Sequence, residues 1–355
     1  EVYSGDEVAS ISSIEDLAAL AQTALTSIES PSHFVEMKVA VIQGEKNKTG
    51  YGAVTVDATL EELAANEYIC GRKSDKDFYQ DGGGILRNIY KNNEHHLVNR
   101  SVYDTNIPGF QHREFVWKKI WRRISSDEII MVYKPLVDLD PVWNFDIAKN
   151  VVRASSWTLV RFQNLPKLAG GIPQTKMTYM SQADLAGSVP ADIMNKLLPG
   201  HLMYLDRVRS MFDKSLVIDG ARRSEFVSMI KDYRGAYSPQ EVKQIEEGQL
   251  WLKSFDQLPK IEKVNTLSPS ASSMIGRKPN EYVASGKSEI IIRGSLEEIL
   301  AFVWFFDSRA RWKPSDLEKV VVEEPNLHCN VGYVCKKGTH TGFFNLLPRD
   351  GVNLS

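Results

Sequence analysis

Two stretches of this chain repeat one another at a fixed distance. GYGAVTVDATLEEL at Gly50–Leu63 lines up with GKSEIIIRGSLEEI at Gly286–Ile299, so that Gly50 meets Gly286, Leu60 meets Leu296 and Glu61-Glu62 meet Glu297-Glu298. The offset is 286 − 50 = 236, and it also brings Arg113-Glu114 onto Arg349-Asp350 further downstream. Self-similarity at one spacing constrains the architecture before any local pattern does, because each copy must build the same supersecondary unit. The expectation is a duplicated domain whose second copy stops near its middle.

Both stretches open alike. The alternation at Ala53-Val54-Thr55-Val56 and the run Glu289-Ile290-Ile291-Ile292 each predict a strand. Thr59 and Ser295 then stand three residues before Glu62 and Glu298, the signature of a capped helix start. Downstream in the first copy, Arg113–Arg123 and Glu128–Pro135 predict antiparallel strands joined by Ser125-Ser126-Asp127. A second pair, Val151–Phe162 and Gln174–Asp184, flanks a loop holding Pro166, Gly170, Gly171 and Pro173. Helical spacing marks one helix through Ile14, Leu17, Ala18, Ala21, Leu25 and Ile28, and a long one from Val189 to Phe212. Two helices bracketing antiparallel strands predict an α+β fold in which a terminal helix covers the apolar face of the sheet.

Three segments follow. Residues 1–215 form the first domain, 216–282 a helical and flexible linker, and 283–355 the front part of a second domain. Within the linker, Ser238-Pro239-Gln240-Glu241 starts a helix, and residues 265–273, rich in Ser, Thr and Pro, read as flexible.

Composition narrows the function classes. With 43 basic and 45 acidic residues, the net charge of −2 leaves no basic excess for a nucleic-acid partner. Cys70, Cys329 and Cys335 form neither a metal-ligand spacing nor a disulfide framework, so a reducing, cytoplasmic setting is expected. The longest apolar stretch, Ile299–Phe306, falls short of the ~20 residues a spanning helix needs, so contact with a membrane is expected to be peripheral and transient. No signal peptide is legible, and the opening on Glu1 predicts a longer parent chain with further domains.

The run RASSWTLVRF at Arg153–Phe162, followed by PQTKMTYMSQADLAGSVPADIMNKL at Pro173–Leu197, resembles the closing half of START (StAR-related lipid-transfer) domains. The matching positions are Thr175, Thr178, Tyr179, Gln182, Asp184, Gly187 and Pro190. Arg113-Glu114-Phe115-Val116 resembles the family's Arg-Asp-Phe-Val with Glu in place of Asp, and the second copy has Arg349-Asp350 followed by Gly351. Ser308-Arg309-Ala310-Arg311-Trp312 is also similar to the family, whereas the first copy carries Cys70-Gly71-Arg72-Lys73 there. The resemblance covers most of residues 10–215 and all of 283–355. It implies the helix-grip fold, a curved antiparallel sheet wrapped around a long C-terminal helix, here followed by a partial repeat. It further implies non-catalytic binding of one lipid or sterol-like molecule in an apolar tunnel, for transfer or sensing, with no cofactor and no metal.

In such a fold the inward side chains either fill the groove or leave it to a ligand. Alternation puts Met131 with Tyr133, Trp157 with Leu159 and Met177 with Tyr179 on shared faces. With Trp121 on the neighbouring strand and Ile193, Leu197 and Leu198 on the last helix, these are the expected lining. The resemblance implies a buried basic residue on the strand after Arg113-Glu114-Phe115-Val116. Lys118 and Lys119 both stand near enough, with Lys119 the candidate. It also implies a gating loop over Asp184, Gly187 and Pro190.

Other chemistries find little support. The Asp81-Gly82-Gly83-Gly84 turn lacks the Lys-Ser/Thr of a phosphate loop. His95 and His96 are adjacent, which on a strand turns them to opposite sides and makes them poor ligands for one metal. No Ser-His-Asp or Cys-His spacing suggests a nucleophile. Two further classes stay open: a ligand-free interaction module of a multidomain protein, which predicts a filled cavity, and a helix-grip cyclase or hydrolase.

Overall fold

The structure is a computed structural model of the 355-residue chain. It describes all residues except 1, 70–82, 106–108, 137–150, 169–170, 188, 267, 279–282, 314, 342–343 and 355. Cys70-Gly71-Arg72-Lys73, Asp81-Gly82, Gly170 and Ser188, named above, lie outside the described residues. The chain divides into two units, residues 1–218 and 219–355.

In the first unit, helix α1 spans Gly5–Gln22. Ser4 caps it by accepting from the Glu7 amide at 3.2 Å, and the Glu7 carboxylate accepts from the Ser4 amide at 2.7 Å. The helix ends earlier than its apolar spacing predicts: Thr23 closes it, and Leu25 belongs to strand β1, Leu25–Ser27. Next come β2 (Val35–Ala40), β3 (Thr49–Val56) and helix α2 (Leu60–Tyr68), which Thr59 caps as expected. Strands β4 (Gly84–Lys91), β5 (His96–Tyr103), β6 (His112–Ser125) and β7 (Glu128–Pro135) then run as a meander. The strand expected over Val151–Phe162 is two: β8 (Val151–Arg153), parallel to β6, and β9 (Ser155–Leu165), which precedes β10 (Gln174–Asp184).

These form one ten-stranded sheet, ordered β1-β2-β3-β10-β9-β7-β6-β5-β4 with β8 beside β6. The closing helix is not continuous. Helix α3 (Ala191–Leu202) and helix α4 (Tyr204–Met211) meet at Met203. Pro199 inside α3 has no amide hydrogen to give the preceding turn, yet the helix runs through it and the Met203 amide still donates to the Pro199 carbonyl at 3.2 Å. Pro190 is the N-cap residue, and the first helical position is Ala191.

Each face of the sheet has its own helices. Ile11, Ile14, Ala18 and Ala21 of α1 pack on one face with Ile120, Ile130, Val132 and Met180. On the other, α2 and α4 close over Ile129, Met131, Val160, Phe162 and Met177. Alternation along β6 sorts its residues accordingly, Ile120 facing α1 and Trp121 the opposite side. The helices seat on β3 through two glycines. A Cβ at Gly50 would lie 2.7 Å from Leu198 Cδ1, and one at Gly52 would lie 2.5 Å from Leu205 Cδ1. The fold is thus α+β, a large antiparallel sheet with the C-terminal helices of the unit laid across one face.

The second unit holds most of helix α5 (Ser215–Asp232), then α6 (Pro239–Phe255), β11 (Lys260–Val264), β12 (Ala271–Arg277), β13 (Ser285–Ile290) and helix α7 (Leu296–Trp304). A 3-10 turn at Arg309–Arg311 precedes β14 (Asp316–Asn326), β15 (Cys329–Lys336), β16 (Thr339–Thr341), β17 (Phe344–Leu346) and β18 (Arg349–Leu354). Residues 216–282 are therefore more than a linker. The Ser-rich stretch enters β12 because its hydroxyls find partners: Ser273 and Ser288 pair across strands at 2.8 Å, and Thr266 bonds the Ala271 carbonyl at 3.0 Å.

Candidate ligand-binding site

A cavity of about 920 Å³ lies between the inner face of the first unit's sheet and α3–α4. Strand register explains where it begins. One row across the sheet reads Lys119, Tyr133, Thr158, Ser181, Gly50. The next reads Trp121, Met131, Val160, Tyr179, Gly52, and the one after it Arg123, Ile129, Phe162, Met177, Val54. The third row is apolar from Ile129 onward, and α2 and α4 fill the space above it. The first row is polar and is left open. Polarity therefore sets the boundary between core and cavity.

The polar floor is tied together internally. Thr158 Oγ1 donates to Ser181 Oγ at 2.9 Å, which donates to the Trp157 carbonyl at 3.0 Å. Lys119, 3% exposed, directs its ammonium to the Glu67 carbonyl and lies 4.8 Å from the centroid of the Tyr133 ring. The Glu67 carboxylate, carried in by α2, accepts from the Tyr133 hydroxyl and, at 2.5 Å, from the Tyr204 hydroxyl. A cation, a carboxylate and two phenols thus share one corner.

Tyr179 and His201 make a second polar pair, Oη to Nε2 at 3.2 Å. Burial pushes the Tyr179 phenol up to about 12 and the His201 imidazole below its ordinary value. His201 borders the cavity, so its surface is accessible although protein mass surrounds it. Both shifts favour the uncharged forms, which offer hydrogen bonds without charge.

The helical side mixes apolar residues with Asn195, His201, Tyr204 and Arg207. Met194, Leu198 and Val208 look onto the floor, while Ile69, Leu197 and Met211 are about half exposed at the rim (51%, 53% and 52%). Phe115 and Trp117 add a stacked aromatic wall, ring centroids 5.3 Å apart at 14°.

The loop before α3 is braced. Arg113, 2% exposed, donates through Nε to the Leu185 carbonyl at 2.6 Å. Asp184 Oδ1 accepts from the Ala186 amide at 2.9 Å, and Gly187 takes a φ of +66° that glycine adopts without strain.

Of the residues predicted to line the site, Lys119, Tyr133, Tyr179, Leu197 and Leu198 border the cavity. Met131 and Met177 share its face but are sealed in the core beyond it, and Trp121 packs on the same cluster with its indole N–H on the Glu94 carbonyl at 3.1 Å. Ile193 is half-buried and does not border the cavity. Asp184, Gly187 and Pro190 lie near the cavity's end without bordering it.

Trp157 and Leu159 are the clear correction, since they lie on the opposite face under α1. Alternation places residues on a common face without saying which face is inner. In β9 Trp157 and Leu159 serve α1, whereas Ser156 and Thr158 face the cavity and Val160 and Phe162 the core beyond it. The cavity carries apolar residues as expected, together with a polar floor that the sequence reading did not include. Sequence reading missed Glu67, Ser156, Thr158, Ser181 and Tyr204. A hydroxyl at alternate positions of an otherwise apolar strand was the available signal.

His95 and His96 also depart from expectation. β5 begins only at His96, so the preceding turn lets both rings reach the Glu7 carboxylate, at 3.3 and 3.0 Å. Among the described residues no group of three His, Cys, Asp or Glu is arranged to hold a metal ion. No helix among them is long and apolar enough to cross a membrane.

No protein-family model matches this sequence, and no curated protein matches it. Solved structures do. Human StAR-related lipid transfer protein 5 is 14% identical, with a TM-score of 0.47, over 59% of this chain and 99% of that one. A STAR-related lipid transfer protein from Xanthomonas axonopodis is 14% identical, with a TM-score of 0.42, over 53% of this chain and 98% of its own. Truncated norcoclaurine synthase from Thalictrum flavum is 8% identical, with a TM-score of 0.26, over 46% of this chain and 90% of that one.

Proposed function

We propose that the first unit binds one amphiphilic lipid or sterol-like molecule between its sheet and α3–α4, without chemical transformation. The observation that carries this reading is the open volume of about 920 Å³, whose helical roof includes Met194, Leu197, Leu198, Val208 and Met211. It falls within the roughly 300–1,000 Å³ range of small-molecule pockets. Each methylene buried there contributes ~0.8 kcal/mol, so a hydrocarbon body needs few polar contacts to be held. The corner of Lys119, Glu67, Tyr133 and Tyr204 suits a small polar end group, and the resemblance to START sequences supports the same ligand class. A ligand-free interaction module predicts a filled hollow, which the open volume weighs against. Transfer or sensing at a membrane surface, from the cytoplasm, belongs to this reading, with the half-exposed rim as the contact.

The test is detergent-free purification followed by native mass spectrometry. One lipid per chain is expected, released on denaturation. Thr158→Trp, which places an indole in the cavity, is expected to abolish loading while far-UV circular dichroism is unchanged. A wild-type chain that carries no lipid and takes none from vesicles of mixed phospholipid and sterol ends the proposal.

A further inference from the structure

Along β6, four residues in step border the cavity: Arg113, Phe115, Trp117 and Lys119. A cation stands at each end of this row and aromatic rings stand between. Six residues of strand set the two cations about 20 Å apart.

The two ends are not alike. At Lys119 the charge is answered on the spot. Glu67 gives its carbonyl to the ammonium and its carboxylate to the Tyr133 and Tyr204 hydroxyls. At Arg113 the acceptors are all backbone carbonyls, those of Gln111, His112, Leu185 and Ala186. A guanidinium has five N–H donors, so these four acceptors leave a donor on Nη2. Among the described residues no carboxylate pairs with it. Burial lowers this guanidinium from its ordinary value, yet the group stays charged. A buried cation without a counter-ion is costly, and an arriving anion relieves that cost.

Strand pairing brings a second guanidinium to this end. Tyr103 lies opposite Arg113, and Ser101, on the same face as Tyr103, lies opposite Arg87. Arg87 Nη2 reaches the Tyr103 hydroxyl at 3.5 Å. Asp104, the acidic residue here, is about half exposed with His112 Nδ1 at 3.7 Å, so water screens its charge. Of the described residues that border the cavity, five are basic and two acidic. The lining is therefore cationic, and the excess lies away from the Lys119–Glu67 corner.

We infer that the molecule held in this cavity is an acidic amphiphile whose single carboxylate or phosphate group sits at Arg113 and Arg87. Its hydrocarbon body runs along Phe115 and Trp117, and its far end meets the Lys119–Glu67 corner. The inference rests on the binding reading above and adds the charge and direction of the guest. Guanidinium groups hold planar oxyanions through charge-assisted hydrogen bonds that a neutral hydroxyl does not match.

Calorimetric titration of the delipidated chain with dodecanoate, dodecyl phosphate and dodecanol tests the charge. Mildly alkaline buffer keeps both anions ionised, and each ligand stays below its micelle threshold. Both anions are expected to bind at least tenfold more tightly than the alcohol. Dodecanol that binds as tightly as the anions overturns the inference and leaves amphiphile binding standing. Failure of all three to bind overturns both. Inorganic phosphate that binds as tightly as dodecyl phosphate marks an ion site without an amphiphile and also overturns it.

Two variants test the direction. Arg87→Gln is used because Arg113 also braces the loop before α3, and it is expected to cut the preference for anions at least fivefold. Lys119→Gln is expected to weaken acid and alcohol alike and to keep their ratio. A preference that survives Arg87→Gln, or one that vanishes in Lys119→Gln alone, puts the anion elsewhere and sinks the placement.

Discussion

Leu60 and Leu296 each begin a nine-residue helix, behind Thr59 and Ser295 respectively, whose side chains make the same capping bond. Leu60 is 1% exposed and Leu296 79%. The contrast separates what neighbouring residues decide from what distant ones decide. Caps, helix lengths and strand registers recur because they depend on local chemistry and on adjacent hairpin partners. Burial does not recur, because in the first unit it depends on strands and helices from residues 128–211.

Paired substitutions break or sharpen this comparison. Leu60→Ala is expected to cost the first unit about 2–5 kcal/mol, as for other fully buried leucines, while Leu296→Ala changes the second unit by no more than about 0.5 kcal/mol. Denaturant unfolding of the two variants checks this, and equal losses would show that both leucines are buried alike.

Gly52→Ser gives the next effect. Position 288 in the second unit already bears an exposed serine, bonded to Ser273 at 2.8 Å. In the first unit the new Cβ meets Leu205, so overpacking of about 1–3 kcal/mol is expected. A neutral Gly52→Ser in thermal unfolding would mean that Leu205 has room to turn away.

The smallest effect is a pH step. Burial holds the His96 imidazole below its ordinary value, with Glu7 pulling it back and Lys118 and Asp6 nearby acting in opposite senses. The unfolded chain therefore takes the proton first, and stability of the first unit falls as pH drops below about 6.5. Glu7 behaves differently. Burial works to raise it, but hydrogen bonds from Ser4, Asn93 and His95 outweigh that and hold it at about 2. Its contribution is complete above about pH 4.5 and is lost toward pH 2. His96→Gln is expected to remove the upper step and leave the lower one, as read from unfolding midpoints across pH. Persistence of both steps would assign the upper one elsewhere.

Much of the fold was legible. The strand and capped helix over Thr49–Tyr68, the capped helix at Leu296–Trp304 and the antiparallel pairs follow from spacing and capping residues, whereas the second strand, Ser285–Ile290, ends before Ile291 and Ile292. The break at Met203, the split at Ala154 and the strand within the Ser-rich segment depend on tertiary partners and so escaped periodicity. At the site, Tyr133 and Tyr179 were reached by alternation within their own strands, and Lys119 through the family resemblance, which left Lys118 open beside it. Trp157 and Leu159 misled because bulk was read as lining. The largest apolar residues go where a helix can seal them, and a cavity persists where no such seal is made.

The glycines of β3 constrain how the first unit can breathe. Leu198 and Leu205 nest against Gly50 and Gly52, so the paired helices touch that strand along its backbone. Little slack exists on this side. Widening that keeps these contacts would part the helices from the opposite wall, where Phe115 and Trp117 stand. Guest molecules would then cross an aromatic threshold, and bulk added at position 50 or 52 would disturb the contacts themselves.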